Sequence, residues 1–158
     1  MRKQITREDI QESPPADNEN WLDLEQLAKV ELTSEDADYP IEAALITKTA
    51  FGWRAQQPGK QTIRLLFDKP HRIRRIQLIF QEDARQRTQE FVLRWSQGAG
   101  VPSREIVRQQ YNFSPPDNTR DLEDYNVDLD ELMMLELSII PDISGGDTRA
   151  SLAQLRLA

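Results

Sequence analysis

Residues 52–96 read GWRAQQPGKQTIRLLFDKPHRIRRIQLIFQEDARQRTQEFVLRWS, and the spacing of their apolar side chains decides the fold. From Gln61 to Asp68, Ile63, Leu65 and Phe67 fall on one face, with Thr62 and Arg64 on the other. From Arg72 to Gln81, Ile76, Leu78 and Phe80 oppose Arg75 and Gln77, while Ile73 and Ile79 break the alternation and are available to cover a second side. From Glu90 to Ser96, Phe91, Leu93 and Trp95 oppose Val92, Arg94 and Ser96. Successive side chains of a strand point to opposite faces, so a period of two predicts a half-buried sheet. The predicted order is strand, Lys69-Pro70 turn, strand, polar loop, strand.

Outward from this stretch the same texture continues. In WLDLEQLAKVELTS, Trp21, Leu24, Leu27 and Ala28 have helical spacing, and Val30 and Leu32 then alternate with charged neighbours, predicting a first strand that ends at Thr33-Ser34. Pro40 to Leu45 predicts a short connecting helix, because proline suits the first helical position and two alanines and a leucine follow. Further strands are predicted over Glu105 to Phe113, Tyr125 to Leu129, Leu132 to Ile140 and Leu152 to Leu157. Loops rich in glycine, proline and aspartate divide them at 96–103, 114–118 and 142–147. Some eight short strands with almost no helix predict an all-β antiparallel sandwich or barrel. Residues 1–20 are polar, contain Pro14-Pro15 and offer no apolar face, so a disordered tail is expected ahead of one domain over 21–158.

Composition removes several classes of chemistry. The chain has no cysteine and one histidine, His71, which excludes disulfides, thiolate catalysis and two-histidine metal sites. No G-x-S-x-G elbow occurs, and no carboxylate pair sits in a recognisable acid/base setting, so an enzyme is not expected. The acidic runs at 128–131 and 142–147 lack the spacing of an EF-hand loop. No run approaches the roughly 18 apolar residues of a membrane span, and the N-terminus has no apolar signal region; no membrane association and a cytoplasmic location are expected.

Charge is unevenly placed. The net charge is -7, yet residues 54–108 hold 12 Lys/Arg against 5 Asp/Glu, and the flanking segments are acidic. The net charge argues against nucleic acid as a partner. Two explanations of the basic centre stand open: its arginines pair across strands with the acidic ends, or part of that surface stays unpaired and receives something anionic.

The order of these features resembles galactose-binding-like domains. The resemblance rests on the strand ending at Thr33-Ser34, the short Pro40-Ile41-Glu42-Ala43-Ala44-Leu45 turn, the Gly52-Trp53-Arg54-Ala55 step and the Gly59-Lys60-Gln61-Thr62-Ile63 opening. The strands Ile73 to Phe80, Phe91 to Ser96 and Leu135 to Ile139, and the closing Ala150 to Leu157, complete it over residues 22–158. That group includes discoidin domains, the C-type domains of clotting factors, carbohydrate-binding modules and a domain of a strand-break repair scaffold. The resemblance implies an eight-stranded antiparallel jelly-roll β-sandwich, a non-catalytic binding module with no cofactor, and recognition through loops at one end. A carbohydrate or glycoconjugate is the first expected partner and a protein, in an intracellular scaffold role, the second. Ala44-Leu45-Ile46 stand where sugar-binding members place an Asp-Gly pair beside a structural calcium, which puts that calcium in doubt.

Arginine is the residue type best suited to recognition here, since its planar fork makes paired hydrogen bonds to carboxylate, phosphate or vicinal hydroxyls. Arg54, Arg85, Arg87, Arg94 and Arg108 are candidates, and the expected ligand-binding patch is Arg54, Arg87, Arg108, Tyr111 and Asn112. Trp53 is expected to plug the sandwich rather than stack on a sugar, and Trp95 to join the core with Phe91 and Leu93.

Overall fold

The computed structural model describes residues 21–46 and 52–158; the expected tail over 1–20 lies outside them. Two single-turn helices, α1 (Leu24–Leu27) and α2 (Glu42–Leu45), accompany eight strands. The strands are β1 (Ala28–Leu32), β2 (Trp53–Pro58), β3 (Gln61–Gln81), β4 (Arg87–Ser96), β5 (Arg104–Phe113), β6 (Arg120–Ile140), β7 (Arg149–Leu152) and β8 (Gln154–Leu157). All pairings are antiparallel, in the order β1-β3-β6-β4-β5, with β8 also on β3 and a separate β2-β7 ribbon. The all-β antiparallel sandwich expected from the alternation is the one observed. No described helix is long and apolar enough to cross a membrane.

The strands were expected in shorter pieces. Lys69-Pro70 is not a reversing turn: β3 runs on for 21 residues, as does β6, and the two pair along both halves. Between Leu66 and Arg75 their register shifts three times. Pro70 has no N–H for the ladder, and Glu131, next to the Leu132 that pairs with His71, takes a left-handed φ of 55°, so the double strand bends there instead of ending. The first half of β3 lies with β1, the second half of β6, β4 and β5; its second half lies with β8 and the first half of β6. The bend thus makes two layers from one ribbon. The strand β2, which alternates only over Trp53, Arg54 and Ala55, was not expected.

The predicted inward faces are buried. Ile63, Leu65 and Phe67 are 4% exposed or less, and Ile76, Leu78, Phe80, Phe91 and Leu93 meet Leu135, Leu137, Ile139, Leu155 and Leu157 in one core. Ile73, out of phase in sequence, is fully buried because the register shifts at the bend turn it inward. Trp53 is a core residue, 1% exposed, whose Nε1 donates to the Ser34 carbonyl at 3.1 Å. Trp95 packs against the core but stays half-buried, because β5 carries one extra residue opposite the Leu93-Arg94 step and alters the pairing there.

The charge imbalance finds its explanation in the register. Arg64 stands opposite Glu136 and bonds it at 2.8 Å. Arg72 forks onto Asp128 and Arg75 onto Asp124 along the same ribbon. Arg94 and Arg108 reach Glu105, and Arg108 also reaches Glu90. Antiparallel β3 and β6 therefore set the basic centre against the acidic C-terminal part. Solvent screens such exposed pairs, so they favour this register more than they add to stability.

A loop-end cleft between the layers

Because β3 and β6 double back, each begins and ends at the same end of the sandwich. That end collects residues 33–46, the 82–86 loop, the 141–148 loop and the β2-β7 ribbon. Between them lies a cleft of about 660 Å³ whose walls include Tyr39, Arg54, Arg85, Asp147, Arg149 and Ser151.

The floor is fixed by close backbone approach. Gly52 has φ +72°, and a Cβ there would stand 2.5 Å from the Leu152 carbonyl oxygen, so only glycine lets β2 begin against β7. The Ser34 hydroxyl donates to Gln61 Oε1 at 2.7 Å and accepts from the Gln56 N–H at 3.0 Å. A short strap crosses β2: the Arg54 N–H donates to the Tyr39 carbonyl at 3.1 Å, and the Asp36 N–H to the Arg54 carbonyl at 2.9 Å. The strap lays the Tyr39 ring 4.9 Å from the Arg54 guanidinium carbon. Outward alternation on the ribbon puts Ser151 directly across from Arg54, with Arg149 on the same face.

The 82–86 loop is shaped by one carboxylate. Glu82 Oε2 accepts from the Ala84 and Arg85 N–H groups at 2.9 and 3.1 Å, and Oε1 accepts from Arg87 Nε at 2.7 Å. Burial alone would raise the Glu82 pKa; these hydrogen bonds and the Arg87 charge outweigh it and hold the carboxyl below its usual range. Arg85 Nη1 then crosses to Asp147 Oδ1 at 2.8 Å and Thr148 Oγ1 at 3.1 Å. That pairing holds the Asp147 carboxyl low as well.

Of the five expected patch residues, the cleft receives Arg54. Arg87 lies beneath the 82–86 loop, 4% exposed, donating to Glu82, Gln89 and the Pro141 carbonyl with its guanidinium over the Phe113 ring. Arg108 is on the outer face of the five-stranded layer, beside a depression of about 200 Å³, and is ion-paired with Glu90 and Glu105. Tyr111 donates its hydroxyl to the Arg120 carbonyl at 3.1 Å and sets its ring edge on Phe113. Asn112 Oδ1 accepts from the Thr88 hydroxyl at 2.6 Å. These residues follow one another along β4 and β5, so strand proximity in sequence did not bring them to the cleft. Tyr39 and Arg149 are not among the sequence candidates: Tyr39 is a lone aromatic in a polar loop, with its place before Pro40 as the one available signal, and Arg149 opens β7, a strand too short for alternation to mark.

A second polar group lies where the inward faces of β5 and the first half of β6 meet. Asp121 is 4% exposed, and its Oδ2 has no hydrogen-bond partner. Burial, then the neighbouring Glu123, pushes its pKa up to about 8. Tyr125 donates its hydroxyl to Glu123 and is itself pushed upward, chiefly by burial. Among the described residues no three acidic or histidine side chains are grouped to hold a metal.

No protein-family model matches the sequence, and neither does any curated protein. Solved structures do match. CpGH89CBM32-5 from Clostridium perfringens, in complex with GalNAc-β-1,3-galactose, superposes with TM-score 0.66 at 18% identity, covering 87% of this chain and 99% of that one. The family 32 carbohydrate-binding module of C. perfringens NanJ, in complex with galactose, gives 0.62 at 12%, covering 87% and 96%. The CBM32 of AlyQ, in complex with 4,5-unsaturated mannuronic acid, gives 0.60 at 14%, covering 84% and 95%. The likeness covers 84 to 87% of this chain, and the fold of this chain is the antiparallel β-sandwich that these carbohydrate-binding modules share.

Proposed function

We propose that the chain is a non-catalytic carbohydrate-binding module that takes a short saccharide into the loop-end cleft. The observation that carries this is the cleft itself, whose volume lies in the range of small-ligand sites. Its polar walls suit a polyol better than an apolar guest, with Arg54, Arg149 and Ser151 lining it together with Tyr39. The fold is one in which several neighbours are carbohydrate-binding modules, which supports the same reading. Binding without catalysis fits the acids of the wall: Glu82 and Asp147 are committed to hydrogen bonds that shape the loops. Arg108, Tyr111 and Asn112 form no part of this site, and the protein-scaffold alternative is not favoured.

The test is titration calorimetry against a panel of neutral and acidic oligosaccharides, repeated with Tyr39→Ala. Saturable binding that the substitution weakens is the expected result. Absence of heat with every sugar at millimolar concentration would abandon the reading.

A further inference from the structure

The hydrogen-bonding character of the cleft is lopsided. On the acceptor side, Glu82 is occupied at both oxygens, by Ala84, Arg85 and Arg87. Asp83 accepts from Gln81 Nε2 at 2.8 Å, and Asp147 from Arg85 at 2.8 Å. On the donor side, the Arg54 guanidinium lies against the Tyr39 ring, and among the described residues no acceptor takes its N–H groups. Arg149, on the same outward face of the ribbon, is ion-paired among the described residues with Asp36 Oδ2 at 3.7 Å, beyond hydrogen-bond distance. Asp36 itself accepts the Asp38 N–H at 2.9 Å through its other oxygen.

A neutral sugar hydroxyl donates as readily as it accepts, and a site for it needs acceptors as well as donors. A carboxylate only accepts, and its two coplanar oxygens match a guanidinium fork. Stacking on Tyr39 restrains the Arg54 fork before any ligand arrives, so less side-chain freedom is lost on binding.

We propose that the cleft selects an acidic saccharide, a sugar bearing a carboxylate, which the Arg54 fork receives with Arg149 as the second donor. This rests on the carbohydrate reading above and narrows it to a ligand class. The net charge of -7 repels a long polyanion, so the preferred ligand is a short segment or a chain end.

The experiment uses the full chain and pairs of probes that differ only in charge: a trigalacturonate and a trimannuronate, the methyl ester of each, a sulfated galactotriose and neutral galactotriose. Calorimetry is expected to show the free acids binding about tenfold or more tighter than their esters, the ratio appropriate to a charge-assisted hydrogen bond. Arg54→Gln should abolish that ratio and Arg149→Gln reduce it, with melting temperatures close to that of the parent protein. Arg104→Gln, at the opposite end of β5, should leave it intact. Esters binding as well as acids, or an acid preference that survives Arg54→Gln, would overturn the inference while leaving carbohydrate binding standing. A sulfated sugar preferred over both uronates would overturn the assignment of the acid as a carboxylate. Silence of all six probes would instead remove the carbohydrate reading itself.

Discussion

Replacing Asp121 by asparagine is expected to make the protein more stable, increasingly so as the pH rises from 4 to 9. Asp121 sits on β6 opposite Phe80, 4% exposed, with Oδ2 unpartnered and Glu123 beside it. Its pKa is raised from 3.8 to about 8. For a carboxyl so raised, the native state holds a proton that the unfolded chain has released. Below pH 3.8 the two states are alike and the group has no effect; between 3.8 and about 8 stability falls as pH rises, and above 8 the full loss is in place. At 1.36 kcal/mol per pH unit the ceiling is about 6 kcal/mol. The surroundings relax when the buried carboxyl ionises, so about 2 to 4 kcal/mol is expected at pH 8. For a domain of this size that is a melting shift of roughly 5 to 15 °C.

Urea denaturation of both proteins at pH 4, 6, 8 and 9 measures it. The parent curve should fall between pH 4 and 8 and the Asp121→Asn curve stay higher and flatter. Both should weaken together at still lower pH, where the depressed carboxyls of Glu82, Asp124, Asp128, Asp142 and Asp147 take up protons and release their partners. Parallel curves across pH 4 to 8 would refute the reasoning, and a less stable variant at pH 8 would show that Asp121 is held as a useful anion.

Arg87→Ala should destabilise by about 3 to 5 kcal/mol, since it strands Glu82 and the Pro141 carbonyl beneath the loop; chemical denaturation reads this directly. Arg108→Ala removes exposed, solvent-screened ion pairs alone, and its denaturation midpoint should stay close to that of the parent. Gly52→Ala forces a Cβ to 2.5 Å from the Leu152 carbonyl at φ +72°. It should lower the melting temperature by several degrees and disturb the cleft through the β2-β7 ribbon, for a loss of roughly 1 to 3 kcal/mol; a protein melting as the parent does would mean the ribbon shifts freely.

The alternation at Ile63-Leu65-Phe67, Ile76-Leu78-Phe80 and Phe91-Leu93 was enough to specify strands, inward faces and a sandwich, because burial on one side of a pleated strand is written locally with a period of two. The charge blocks left pairing across strands as one of two open explanations, and the register decided for it; that Gly52 is needed for close approach to Leu152 is visible only in the structure. The Lys69-Pro70 step was not legible in the same way: a proline reads equally as a turn or as a bend, and only the register between β3 and β6 made it a bend. That bend then decided the site. Arg54 reached the cleft because β2 pairs with β7 across nearly a hundred residues of chain, and Arg87 left it because its fork found Glu82 and Pro141 inside. Sequence spacing reports which face of a strand is wet; which wet residues meet depends on the path of the whole chain, and that information is tertiary.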